Sequence, residues 1–507
     1  MSKVSVEKTL KQIDEILVPY FNEAALPGLA VGVVHEGSLV CTRNYGFSNV
    51  EQRKPVTPDT VFRIGSISKT FTAIAVMQLF AQGKFELDDP VNDHLKCFKV
   101  LHRDPNAPPV TIRHLLTHTS GIGELRKLSD ILLPQGGLGA NPDIPSLPLG
   151  DYYQGVLRSE VYPGEKWAYA NHAFNTLGQL VEDVSGQPFA GYMLQHVFEP
   201  LGMNKTDYLL SERVRAELAQ GYNIKKGRHV PVPYMRIEVP GAGSIFSSVN
   251  EMAKYVAALM NGGKNEHGSV LAPELLEMMM TSQYENDARV FNMGLAFILM
   301  KFANHRIAWH NGGWPGFISA MYTAPDDGLG VLVFTNSSSP LPDRIAIDLL
   351  HRLLGLPDPV SQVPAKNILE APHLWPELCG FYAPKKGFLT NLRLWLGFGG
   401  EVQVIVKENH LAARGLFGVS RKGIPLYRAD AGDDLIYKTV LEGNVITVAF
   451  QRSNKGGKIL RLLVGSNTFY RTQPSQSLRY RLMAVGGVLG GLALFLLGRK
   501  MGKMRKT

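Results

Sequence analysis

Apolar residues recur along the first 355 positions with two different periods, near 3.6 and near 2, and their succession outlines a mixed domain. Residues 27–49 (PGLAVGVVHEGSLVCTRNYGFSN) are rich in β-branched side chains on either side of Glu36-Gly37, which predicts a hairpin. Residues 69–84 (KTFTAIAVMQLFAQGK) have helical spacing and a glycine near their end. Further helices are predicted at 112–117, 173–184 and 248–261, the last opened by the capping-box pattern Ser248-Val-Asn-Glu251. GVLVFTN (330–336) reads as a buried strand, and 344–354 as a closing helix. At the N-terminus Val6, Leu10, Ile13 and Leu17 share one face among charges, as in a surface helix, and the unbroken apolar run of a signal peptide is missing. Together these elements predict an α/β (α+β) domain over residues 1–355, with a mixed sheet drawn from both ends of that stretch and helices on both sides.

Periodicity is lost across GLPDPVSQVPAKNILEAPHLWP (355–376), where prolines forbid helix continuation; 356–372 is read as a linker. Alternating runs follow at 401–407, 445–450 and 459–464, the later ones separated by turn clusters such as Glu442-Gly443-Asn444. Residues 373–474 therefore read as an all-β domain, most simply a small antiparallel barrel or sandwich.

Composition narrows the classes. With 45% apolar and 19% charged residues, the 507-residue chain is an ordinary globular protein. Its net charge of +9 first suggests a nucleic-acid partner, but seven lysines and arginines and no acid lie in residues 475–507, so the rest carries only +2 and nucleic acid is excluded as a partner. Within that basic tail, 482–498 (LMAVGGVLGGLALFLLG) is free of charge and just long enough to span a bilayer, which predicts a single-pass C-terminal membrane anchor. Gly486, Gly487, Gly490 and Gly491 form two overlapping GxxxG pairs through which two such helices could pair into a homo-oligomer. Cys41, Cys97 and Cys379 are odd in number and far apart, so no disulfide framework is indicated.

Three segments carry candidate chemistry. In Phe62-Arg-Ile-Gly-Ser66-Ile-Ser-Lys69 a serine stands at the start of a long helix with a lysine one turn later on the same face, where the amine can take the hydroxyl proton. The helix N-terminus there favours developing negative charge. The pattern alone is weak, since Ser5-Val-Glu-Lys8 repeats it in a polar helix; Ser66 could simply cap the helix and Lys69 be solvated. Pro163-Gly-Glu-Lys-Trp-Ala-Tyr169-Ala-Asn171 adds a phenol and an amide on a turn before a helix. His310-Asn311-Gly312-Gly313 adds a histidine and glycines that let a backbone come close to a ligand. Taken singly, Tyr169 reads as a packed aromatic and His310 as a loop residue.

The order of these motifs, S-x-x-K, Y-x-N and H-x-G-G, resembles the serine β-lactamase and penicillin-binding-protein superfamily, and within it the class C β-lactamase-related esterases and peptidases. The resemblance covers residues 10–355, and Thr111-Ile-Arg-His-Leu-Leu-Thr-His-Thr-Ser-Gly121 is similar to a further family signature. It implies a β-lactamase/transpeptidase-like fold and a lipocalin-like character for the β domain. It also implies that Ser66 is the acylated nucleophile, Lys69 its proton acceptor and Tyr169 a proton shuttle. Asn171 would hold Lys69 or a substrate carbonyl, and the N–H groups of Ser66 and Gly313, beside Gly312, would form the oxyanion hole. His310 would stand where the family has the lysine of K-T-G. A mostly neutral histidine there, and the absence of an S-D-N triplet, argue against efficient penicillin turnover. The implied activity is cleavage of a small acyl ester, with a peptide-like amide as the second choice, a weak β-lactamase the third, and no cofactor. The competing class is a non-catalytic acyl-ligand binder or scaffold.

Two features remain. The proline- and glycine-rich segment 124–150 could lie over the cleft and select acyl groups, or be a plain surface insertion. His114 and His118 have a spacing that can hold zinc, but no third ligand stands at a recognisable distance, and both are read as structural.

Overall fold

In the computed structural model the described residues are 3–364, 370–385, 387–441, 443–453, 457–479 and 481. They fall into two compact units, Met1–Ser361 with Gly387–Thr390, and Gln362–Lys386 with the described residues from Asn391 onward.

The first unit is built on a nine-stranded sheet. Its strands are β1 (Gly28–His35), β2 (Ser38–Asn49), β3 (Lys54–Pro55), β4 (Tyr284–Asp287), β5 (Phe291–Met293), β6 (Ile298–Phe302), β7 (His305–Trp314), β8 (Phe317–Ala324) and β9 (Leu329–Thr335). They run in the order β4-β5-β6-β7-β8-β9-β1-β2-β3, so β1 from the start of the chain pairs with β9 from the end of the unit. Every pairing is antiparallel, which corrects the expected mixed sheet. The reason is local: turns of two to four residues join β1 to β2 and each successive pair from β6 to β9, and such turns can only reverse the chain. The predicted hairpin closes on Glu36 (φ 49°) and Gly37 (φ 75°), two left-handed residues in succession, as a two-residue turn matched to strand twist requires.

Side chains of β1 alternate strictly. Leu29, Val31 and Val33 pack with Ile13, Leu17 and Leu349 on one face; Ala30 and Val34 join Phe71, Ile74 and Met252 on the other. The first face is covered by α1 (Lys3–Lys11), α2 (Ile13–Glu23) and α6 (Leu341–Leu353). The N-terminal pattern thus forms two helices, and its apolar stripe belongs to the core. The second face is covered by α3 (Ser68–Ala81), α4 (Asn171–Ser185) and α5 (Val249–Met260). α5 is capped as its sequence predicts at one end of the box: the Ser248 side chain accepts from Glu251 N–H, while the Glu251 carboxylate turns to Lys254 and Lys205 N–H.

The second unit is a closed eight-stranded antiparallel barrel: β10 (Gly380–Ala383), β11 (Val402–Lys407), β12 (His410–Gly415), β13 (Ile424–Arg428), β14 (Ile436–Leu441), β15 (Asn444–Arg452), β16 (Ile459–Val464) and β17 (Asn467–Thr472). Buried Tyr382, Tyr437, Phe450 and Phe469 fill it. The space lined by Phe398, Val402 and Val448 holds only about 30 Å³, room for a single water.

Among the described residues no helix is long and apolar enough to cross a membrane. The anchor expected at 482–498, its GxxxG glycines and linker residues 365–369 lie outside the described residues.

Candidate active site

Ser66 lies in a single 3₁₀ turn, Gly65–Ile67, that leads from the short strand Phe62–Arg63 into α3. It is the one residue of positions 61–75 that is not buried. No side chain caps α3, so Ser66 is not a cap; Ser68 Oγ instead donates to Gly65 O at 2.6 Å. One turn on, Lys69 is fully buried. Its Nζ donates to Ser66 Oγ at 2.9 Å, Asn171 Oδ1 at 2.8 Å and the Ala242 carbonyl at 2.8 Å. Three acceptors match the three N–H bonds of an ammonium, none of them a carboxylate. Of these three partners only the Ser66 hydroxyl carries a proton that the amine, once neutral, could take.

Tyr169, half-buried, stands two residues before that asparagine, and Lys69 Nζ lies 4.8 Å from its ring centre. Asn171 is the first residue of α4, so one helix start supplies both the amide and the phenol beside the lysine. His118 stacks on the phenol, ring centres 4.3 Å apart. Its Nδ1 accepts from Ala170 N–H at 3.1 Å and its carbonyl accepts from Ala168 N–H at 2.8 Å, so it grips both neighbours of Tyr169. Sequence reading set His118 aside as structural; its position at φ 57° places the ring under Tyr169.

His310, Gly312 and Gly313 are on β7 and not in a loop, which corrects that reading. The His310 ring is buried, and Nδ1 lies 2.6 Å from the Asn311 carbonyl. A carbonyl only accepts, so Nδ1 carries the proton and in the neutral ring Nε2 holds the lone pair. The Tyr169 and His310 ring centres are 6.3 Å apart. At Gly312 a Cβ would stand 1.9 Å from the Ile64 carbonyl and 2.7 Å from Ser319 Oγ, which itself donates to that carbonyl at 2.8 Å. The missing side chain therefore makes room for the backbone leading to Ser66. One consequence is that the Gly313 amide nitrogen lies 2.7 Å from where a Gly65 Cβ would be, so the amide of β7 and the turn carrying Ser66 meet with nothing between them.

The segment 124–150 is tied down. Arg126 pairs with the buried Asp130 at 2.8 Å and lies 3.9 Å over the Tyr152 ring, Gly139–Ala140 pairs with Arg236–Ile237, and Gly139 packs on Trp314, the residue after Gly313. His114 closes a capping box with Thr111, and among the described residues no group of three or more His, Cys, Asp or Glu could hold a metal.

Set beside known proteins, residues 6–356 match the Beta-lactamase family. The chain belongs to that family, and so to the serine hydrolases. It is 28% identical over 318 residues to the putative penicillin-binding protein PbpX of Bacillus subtilis (strain 168), covering 61% of this chain and 71% of that protein. It is 24% identical over 334 residues to Protein flp of Staphylococcus aureus (strain MW2), covering 65% of this chain and 63% of that protein's length. Among solved structures, the octameric penicillin-binding protein homologue from Pyrococcus abyssi superposes with a TM-score of 0.61 at 27% identity over 91% of this chain and 99% of its own. EstCE1, a hydrolase with promiscuous acyltransferase activity, shares the fold at a TM-score of 0.59 and 21% identity over 69% of this chain and all of its own.

Proposed function

We propose that the protein cleaves small acyl esters through a covalent acyl-enzyme on Ser66. The observation that carries this reading is the hydrogen bond of 2.9 Å between Lys69 Nζ and Ser66 Oγ, with the amine fixed by Asn171 and Ala242. Neutral Lys69 takes the Ser66 proton as Oγ attacks the ester carbonyl, and the oxygen that becomes negative is met by the N–H groups of Ser66 and Gly313. Tyr169 gives its proton to the departing alkoxide and takes from Lys69 the one that came from Ser66, so the amine is neutral again. Water then repeats the sequence on the acyl-enzyme and releases the acid. His310 takes the place of the family's lysine, and without that permanent cation an uncharged ester is favoured over a substrate gripped by its carboxylate.

Hydrolysis of a D-aminoacyl amide is the second reading, favoured by the relative named as a penicillin-binding protein. The packing of Gly139 on Trp314, next to Gly313, supports a role for 124–150 as the wall that selects acyl groups. Membrane attachment through 482–498, and pairing through its glycines, rest on the sequence alone; partition of the full chain, but not of a chain ending at Pro474, into liposomes tests them.

Turnover of p-nitrophenyl esters, D-aminoacyl p-nitroanilides and nitrocefin by the full chain tests the substrate class. The ester reading expects kcat/KM on esters to exceed the others by at least about 10²-fold. A preference for the anilides would replace it with the peptidase reading.

A further inference from the structure

A second cavity of about 480 Å³ opens in the first unit, and neither Ser66, Lys69 nor Tyr169 lines it. Its wall is largely apolar, with Leu149, Phe189 and Tyr208 among its residues, and Arg63 is one of its few charged ones. Arg63 is 4% exposed, buried as a cation almost never is unless paired. Its guanidinium sits among the rings of Tyr234, Trp314 and Phe246 at 5.0, 5.0 and 5.4 Å. Its one hydrogen bond runs from Nη1 to the Met235 carbonyl at 2.7 Å, and Nε has no acceptor. Among the described residues no carboxylate is paired with it, and burial pulls its pKa down to about 10.

The other two arginines of the cavity are already matched. Arg236 pairs with Glu238 at 2.7 Å and Arg215 with Glu212 at 3.4 Å, while the Glu182 carboxylate accepts from the neutral Phe189 N–H at 2.9 Å and is not matched by a cation among the described residues. Arg63 is thus a buried positive charge with no carboxylate paired to it among the described residues. Aromatic faces alone return less to a desolvated cation than its burial costs.

We propose that this cavity binds a carboxylate carried on an apolar body, such as a medium-chain fatty acid, with the carboxylate on Arg63 and the chain against Leu149, Phe189 and Tyr208. A guanidinium edge suits a planar carboxylate, and a volume of about 480 Å³ is on the order of ligand pockets in general. The site contains none of Ser66, Lys69, Tyr169, Asn171, His310 and Gly313; it borders the segment 124–150 through Leu149 and Trp314 through Arg63, so binding is tested apart from turnover and acyl preference.

Calorimetric titration of octanoate and of octanol into the full-length Ser66→Ala protein tests it without any turnover. Octanoate is expected to bind one site per chain, and octanol at least tenfold more weakly. Arg63→Met is expected to lose octanoate binding tenfold or more, and Leu149→Trp, which fills the cavity and leaves Arg63 in place, to do the same. Octanol binding as tightly as octanoate, no octanoate binding at all, or unchanged affinity in the folded Leu149→Trp protein would overturn the proposal.

Discussion

His118 and Tyr169 are stacked with their ring centres 4.3 Å apart and their planes 29° from parallel, and the imidazole holds the N–H group of Ala170 as it does so. His118 is a positioning residue: it touches the phenol and its backbone, not the Ser66 hydroxyl. Because Nδ1 is an acceptor, the ring must be neutral with its proton on Nε2, and a protonated ring would lose the Ala170 bond. His118→Ala is expected to lower kcat about 10²-fold with KM nearly unchanged, the signature of a misplaced catalytic group. His118→Asn, which keeps a short acceptor, should recover part of the loss. Steady-state kinetics of the two variants check this; an equal fall in both, tracking thermal stability, would reduce His118 to a packing residue.

Gly312 is required by contact, not by backbone freedom. A methyl group there would stand 1.9 Å from the Ile64 carbonyl, a rigid neighbour in the chain leading to Ser66. Gly312→Ala is expected to destabilise by about 3 kcal/mol, the upper end for overpacking, and to abolish ester hydrolysis in whatever folds. Gly83→Ala serves as its comparison: φ there is 67° with open space around it, so the cost is only the left-handed backbone, about 1 kcal/mol. Urea unfolding of both measures the difference, and equal costs would contradict the contact.

The segment 124–150 should set acyl preference. Deleting residues 135–146 removes the Gly139–Ala140 strand and its packing on Trp314. The ratio of kcat/KM for long over short p-nitrophenyl esters is expected to change at least fivefold, while Ser66 labelling by a fluorophosphonate persists. An unchanged ratio would leave the segment a surface insertion.

Acid should loosen the fold through His172. It is fully buried beside Asn171, its Nδ1 is 3.1 Å from the Tyr153 hydroxyl, which accepts from Asn175, and burial pushes its pKa down to about 3. In the unfolded chain the imidazole titrates near 6.5, so between there and pH 3 the unfolded state binds a proton that the native state refuses. Stability is therefore complete above about pH 6.5 and falls as pH drops, by at most about 1.4 kcal/mol per unit from this group. Urea unfolding of the wild type and of His172→Gln across pH 4–7 should give a shallower acid slope for the variant; the same slope in both would contradict the assignment.

Local signals were the legible ones. The helices at 69–84, 112–117, 173–184 and 248–261 and the Glu36-Gly37 hairpin carry their period or turn chemistry within a few residues, and all appear within a few positions of their expected ends. The strands from Tyr284 to Ala324 do not: β4 and β5 are only four and three residues long, and β7 contains two glycines and a histidine that read as a loop. Only the neighbouring strands β6 and β8 make HRIAWHNGGW extended. At the site, Ser66 and Lys69 were found because spacing on a helix brings them together, whereas Asn171, 102 positions from Lys69, was reached only through the resemblance of its motif to the family's. Ala242 was missed because a carbonyl acceptor leaves no trace in residue type, and His118 because its contact with Tyr169 joins positions 51 apart.

The central claim is that Lys69 makes the Ser66 hydroxyl a nucleophile. Labelling of the full-length protein with a fluorophosphonate, followed by mass spectrometry of the digested chain, tests it most directly. The account predicts one adduct, on the peptide holding Ser66, absent in Ser66→Ala and formed at least about 10³-fold more slowly in a folded Lys69→Ala protein. An adduct on any other residue, or labelling of Ser66 at the wild-type rate without Lys69, would contradict it.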